Sequence, residues 1–220
     1  MVTGGAHRSA GTSATANSVT MLGATDTVTG SSTLVESAAG GRILVDVGLY
    51  QGRKELRLRN WAAFPVDPAT IDAVVTTHAH VDHCGLLPKL VREGFTGPVV
   101  TTPNTAALAR IVLPDSAHLQ EEEAAEANRR GYSKHHPALP LFTRDDAAAT
   151  LELLAVADFD EPIVVADGIQ ATFRHAGHIL GAASLELRFP REGQRVVFSG
   201  DLGRADHPLL VAPDPIDLAG

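Results

Sequence analysis

Four side chains able to bind metal fall within six residues, His78-Ala79-His80-Val81-Asp82-His83. They follow a largely apolar run over residues 71–77 and lead into Cys84, Gly85 and Leu86-Leu87-Pro88. On an extended backbone, side chains two apart point to the same side. His78 and His80 can therefore offer two imidazoles to one metal ion. Asp82 and His83 come where the chain must turn, so they can address a second ion beside the first. Zinc takes histidine nitrogen and carboxylate oxygen readily. The competing account is a polar loop that happens to be rich in histidine.

Three other places repeat the pattern of an apolar strand ending in a residue that could do chemistry. Residues 42–46 are nearly all apolar until Asp46, and a carboxylate at the end of a buried strand needs a partner. His78 and its neighbours aside, His178 follows a strand and sits between Gly177 and Gly181, which let backbone approach closely. Residues 196–198 lead to Ser199, Gly200 and Asp201. The two oxygens of Asp201 could bridge two ions. Taken singly, His178 reads as a structural histidine, whereas Asp46 reads as an acid that orients a metal-site water or ligand, with a turn former as the competing account. Their shared placement at strand ends lets them converge on one edge of a folded sheet structure, with Asp46 orienting a ligand or water.

The elements that must position these groups read as strands, then helices, then strands. Residues 1–17 are Gly, Ser, Thr and Ala with few large apolar residues, which predicts a disordered arm. Strands are expected over 19–23, 32–37 and 42–46, with Gly40-Gly41 as a tight turn. Residues 52–61 carry four basic side chains in a helical pattern. A solvated face is the simpler account of them, and a phosphate-steering patch the sharper one. Further helices are expected over 86–92, from Thr102 or Asn104 to 113, over 116–130 beyond a break at Pro114, and from a Thr143 N-cap to 154. Glu121-Glu122-Glu123 reads as a solvated face near the start of the 116–130 helix. His118, His135 and His136 have no ligand-like spacing and read as ordinary surface or packing residues. Strands return at 98–101, 163–165, 169–173, 183–187 and 195–198. A sandwich of two sheets with helices outside accommodates this α/β order.

The chain has 220 residues, with 44% hydrophobic and 20% charged, which suits a water-soluble core-forming domain. No apolar run approaches the length of a membrane span. The single cysteine, Cys84, allows no internal disulfide and points to the cytoplasm. It reads as a small buried filler. A net charge of −8 argues against a broad nucleic-acid surface. Bound divalent metal would still supply positive charge where a phosphate must sit.

With these residues in view, the chain resembles the metallo-β-lactamase superfamily, whose hallmark is H-x-H-x-D-H. It resembles most the β-CASP RNA-processing branch, the group of RNase J and the endonuclease of mRNA 3′-end processing. The stretches that carry the resemblance are ILVDVGLYQG, THAHVDHCGLLPKL, PDSAHLQEEE, HAGHILGAAS and VVFSGDLGR, from about Ser18 to the C-terminus. The resemblance implies a four-layer αββα sandwich. It implies that His78, His80 and His178 hold one zinc, that Asp82 and His83 hold a second, and that Asp201 bridges them. Asp46 and Asp82 are the acids it assigns to catalysis, Asp46 by orienting the site. A hydroxide between the metals would be the nucleophile on an RNA phosphodiester.

In that branch a β-CASP domain follows the Asp201 motif, and the last zinc-binding histidine lies beyond it. Here only 19 residues follow Asp201, and His207 is too close to it to match. Residues 18–220 are therefore expected to be the N-terminal part of a truncated metallo-β-lactamase domain, with one complete zinc site and one incomplete. The leading expectation is a zinc-dependent ribonuclease acting on single-stranded RNA, with no membrane partner. A small-molecule hydrolase of the glyoxalase-II or lactonase kind, and an inactive binding subunit, are the competing functions.

Overall fold

This computed structural model describes residues 16–216. Strands β1 (Ser18–Met21), β2 (Ser32–Glu36) and β3 (Arg42–Val47) form an antiparallel meander, with the β2–β3 turn at Gly40-Gly41 as expected. Three more strands then add in parallel: β4 (Ala73–Val75), β5 (Val99–Thr101) and β6 (Leu154–Val156). Parallel neighbours need crossovers, and helices fill them. The first crossover carries α1 (Lys54–Arg59), the second α2 (Val81–Cys84) and α3 (Leu87–Arg92), the third α4 (Pro103–Arg130) and α5 (Arg144–Glu152). A second sheet follows, from β7 (Ile163–Ala166), β8 (Ile169–His175), β9 (Ala183–Phe189) and β10 (Gln194–Phe198). It is antiparallel throughout, in the order β10-β9-β8-β7.

Strand alternation divides the apolar residues between two cores. Leu44 and Val47 face the helices, with Val74, Val99, Leu90, Phe95, Leu113 and Phe142. Ile43 and Val45 face the second sheet, with Val75, Phe173, Leu185, Leu187 and Phe189. Each such large side chain contributes about 1.5–3 kcal/mol on burial. The order of layers is thus helix, sheet, sheet, which is three consecutive layers of the expected αββα sandwich. Among the described residues no helix follows α5. The outward positions of the second sheet are polar instead: Arg174 and Arg188 flank Glu186, whose side chain is 5% exposed.

Several local expectations need correction. Pro114 does not break the helix; α4 runs unbroken for 28 residues. A proline inside a helix costs about 3 kcal/mol. Ala109, Leu113 and Ala117 lie fully in the helix–sheet core on either side of it, and their packing offsets that cost. Glu121–Glu123 therefore lie in the second half of a long helix, not near a start, and Glu121 accepts the Arg144 N–H at 2.9 Å, which ties α4 to α5. The three-residue β6 is not expected from the sequence: the helix anticipated to 154 reaches its first residue, and Leu-Ala-Val is too short to carry a period. The expected arm lies outside the described residues except at Ala16 and Asn17. Asn17 accepts the Ala38 N–H at 2.7 Å and donates to Gln194 at 2.8 Å, which links the two sheets.

Candidate metal centre

Four strand ends meet at one edge of the sandwich. At the end of β3 the pairing with β2 shifts register between Ser32 and Thr33. Asp46 is the extra residue of that bulge, since Val45 pairs with Thr33 and Val47 with Ser32. A bulge bends the strand and re-aims one side chain. Asp46 takes a left-handed backbone, φ 58°, which costs an aspartate less than most residues. Its carboxylate is 2% exposed and is fully engaged. It accepts the Thr77 N–H at 2.8 Å, the Thr77 hydroxyl at 3.0 Å, the His83 Nδ1–H at 2.7 Å and the Ser31 hydroxyl at 3.4 Å.

Beyond β4 the chain bends at Thr77 and runs through His78 to His80, the extended N-cap of α2. This short helix carries Asp82 in its first turn and buries His83 and Cys84. Backbone bonds dock it on the β3 loop: Leu49 N–H to Val81 at 2.8 Å and Ser31 N–H to Asp82 at 2.9 Å. Gly48 is needed there, because a Cβ would stand 1.7 Å from the Asp82 carbonyl oxygen. From the other sheet, the β8–β9 loop brings in His178. The Thr102 and Thr105 hydroxyls at the start of α4 hold that loop by its Gly181 carbonyl, at 2.7 and 2.9 Å. Asp201 follows β10, and the Gly203 N–H bonds Ala176 at 2.8 Å to join its loop to that of His178. A Cβ on Gly203 would lie 1.7 Å from the Gly177 carbonyl oxygen.

Three imidazoles crowd together in consequence. His80 Nδ1 is 3.0 Å from His78 Nε2 and 3.1 Å from His178 Nε2. With Asp201 they form a group whose ligand atoms all lie within 4.8 Å of one another. Asp201 faces two ways. One oxygen stands 3.8 Å from His78 and 3.5 Å from His178, the other 3.4 Å from His83 Nε2. Asp82 and His83 complete no such group among the described residues. Asp82 is partly buried on α2, and its charge acts on His83.

The electrostatics differ from ring to ring. Burial, then repulsion from His83, His80 and His178, pushes His78 down to about 2, so it is neutral with a free lone pair. Burial also lowers His178, offset in part by Asp201. Burial pushes His83 down too, but the Asp46 hydrogen bond and charge, then Asp201 and Asp82, outweigh it and raise the ring. Burial raises the Cys84 thiol, with Asp46 and Asp82 adding to it, which leaves it the inert filler expected. Imidazole nitrogens gathered beside a carboxylate are a donor set that fits a divalent metal cation.

The sequence matches the metallo-beta-lactamase superfamily over residues 25–219. The chain belongs to that superfamily. It is 38% identical over 194 residues to Ribonuclease TTHA0252 of Thermus thermophilus, covering 88% of this chain and 39% of that protein. It is 34% identical over 186 residues to Transcription termination factor FttA of Methanosarcina mazei, covering 83% of this chain and 27% of that one. The chain thus spans less than two fifths of the length of these curated relatives. A solved HARLDQ-motif metallo-β-lactamase variant of Cronobacter sakazakii aligns with a TM-score of 0.48 and 21% identity, over 83% of this chain and 60% of that one.

The metallo-β-lactamase superfamily is metal-dependent, and the His78, His80, His178 and Asp201 group is where this member could hold an ion. Sequence reasoning overlooked Thr77. Its hydroxyl touches both Asp46 oxygens, His78 Nδ1 at 3.1 Å and His83 Nδ1 at 3.5 Å, so it joins the orienting acid to two rings. The visible trace was Thr76-Thr77, where an apolar run turns to hydroxyls just before the histidines. No described helix is long and apolar enough to cross a membrane.

Proposed function

We propose that this chain forms the metal-holding part of a zinc-dependent ribonuclease that hydrolyses phosphodiester bonds of single-stranded RNA in the cytoplasm. The observation that carries the reading is the convergence of His78 Nε2, His80 Nδ1, His178 Nε2 and Asp201 in a chain 38% identical to a ribonuclease. His78, His80 and His178 would hold one zinc and Asp82 and His83 the second, with Asp201 facing both groups. Bound metal supplies an acidified water and positive charge for the phosphate oxygens.

The chain's own residues set that chemistry up. His78 and His178 stay neutral and so remain ligands at ordinary pH. Asp46 is a positioning residue: it fixes His83 with Nδ1 as the donor, which frees Nε2 to point at Asp201. Thr77 holds Asp46 and backs His78. Asp82, partly exposed on α2 beside His83, would be the acid that touches the reacting phosphate or its water. The β-CASP likeness of the HAGHILGA and GLYQG stretches supports RNA over a small substrate. The sole cysteine, buried and unpaired, suits a reducing compartment.

The test is cleavage of a labelled single-stranded oligoribonucleotide by zinc-loaded protein, with a chelator and His80→Ala as controls. Chelator-sensitive cleavage that His80→Ala abolishes is expected. Turnover of thioesters or lactones with RNA left intact would overturn the reading.

A further inference from the structure

That reading leaves one charged element unused. α1 buries none of its residues, so core packing does not explain its presence. Arg53, Lys54, Arg57 and Arg59 stand in seven residues with one acid, Glu55, in a chain that carries 26 acids to 18 bases. Arg59 is occupied: it pairs with Asp26 at 3.5 Å and lies 5.5 Å over the Tyr50 ring. Among the described residues no acid pairs with Arg53, Lys54 or Arg57, and all three are exposed.

The element is nevertheless anchored at and beyond its C-terminal end. Asn60, 5% exposed, accepts the Tyr50 N–H and donates to the Tyr50 carbonyl, each at 2.8 Å. Past α1, the buried Lys89 ammonium donates to the Ala62 carbonyl and sits 4.7 Å over the Phe64 ring. Trp61 follows α1 with its N–H on the Leu58 carbonyl at 3.2 Å, which continues the helical turn. Lys54, Arg57 and Trp61 then fall at i, i+3 and i+7, on one face. Trp61 is 56% exposed and Leu58 beside it 57%. An indole and free cations on one rigid face are what a single nucleic-acid strand uses, bases stacking and phosphates pairing.

This face is close to the metal centre. Leu49 is bonded to Val81, at the start of the helix that carries Asp82 and His83. Arg53 lies four positions beyond Leu49, a reach of at most about 14 Å. That is roughly four nucleotides at a stacked rise of ~3.4 Å.

We propose that Arg53, Lys54, Arg57 and Trp61 form a docking surface for single-stranded RNA that leads the strand to the metal centre. The proposal rests on the ribonuclease reading and adds the route by which substrate arrives. Because Trp61 is the only tryptophan, its emission reports the contact directly. Zinc-loaded protein is titrated with a phosphorothioate oligouridylate, which resists hydrolysis. Quenching of Trp61 emission on binding is expected. Arg53→Ala/Lys54→Ala/Arg57→Ala should weaken binding about tenfold and reduce the salt slope by about 2, with zinc content unchanged. Trp61→Ala, followed by anisotropy of labelled RNA, should weaken it about tenfold. Binding with unaltered Trp61 emission, and with affinity and salt slope unmoved by the triple change, would overturn the docking surface while leaving the ribonuclease reading intact. Absence of any RNA binding by the wild type would overturn both. Equal quenching by polyglutamate or by anionic vesicles would show a general anion surface and overturn the assignment to RNA.

Discussion

The two sides of the centre are built differently. On one side, three imidazoles from two loops converge on a point, and burial keeps His78 neutral. On the other, His83 is tied through Nδ1 to Asp46 and held by surrounding acids toward its charged form, and Asp82 adds a carboxylate but no further ring. Asp201 faces both. The difference lies in where the donors come from. The triad side draws on both sheets, so the sandwich itself assembles it. The Asp82–His83 side draws on one four-residue helix and its dock on the β3 loop. The first side should bind metal by itself, and the second should bind more weakly and depend on the first.

The largest effect that could break this comparison is a ligand deletion. His178→Ala should lower zinc affinity by more than about 100-fold, since even residues behind a ligand cost 10–100-fold. Asp82→Ala should leave the tight ion in place. Equal losses in equilibrium dialysis would show that the sides are not separate. Two glycines offer a matched pair. Gly203→Ala forces the His178 loop off the Asp201 loop and should weaken the tight site. Gly48→Ala drives α2 off the β3 loop and should spare the tight ion while impairing cleavage.

Thr77 belongs to both sides. Thr77→Val removes a hydroxyl from a buried carboxylate and should destabilise the protein by about 1–3 kcal/mol in urea unfolding. It should also weaken zinc about tenfold.

Titration of the metal-free protein should separate the sides by sign. In histidine ring NMR, His78 should titrate only near about 2, far below its usual 6.5, whereas His83 should titrate above 6.5. Between pH 2 and 6.5 the unfolded chain binds a proton that folded His78 does not, so this ring lowers stability as pH falls through that window. His83 acts oppositely: its contribution is complete below 6.5 and is lost as pH rises through its raised folded value. The smallest effect is His118→Ala, whose ring stands 3.5 Å from Glu122 and which should leave zinc content unchanged.

The sequence pointed to the clustered side chains where they are contiguous or close a strand. His78, His80, Asp82 and His83 could be read from spacing alone, and Asp46, His178 and Asp201 from their places after apolar runs. The bulge that turns Asp46 inward was hidden, because register is a property of two strands and Asp46 shows only one. Thr77 was hidden for a related reason, since its importance lies in four contacts to residues both near and distant. In the fold, alternation revealed most strands, but β6 is too short for a period. Proline chemistry argued for a break at Pro114, and core packing around Leu113 prevailed.

Zinc content of the wild-type protein, prepared with ample zinc and freed of loose metal by gel filtration, tests the central claim most directly. Close to one tightly held ion per chain is predicted. A protein that emerges without metal would contradict the account, because three imidazoles and a carboxylate gathered at one place would then hold nothing.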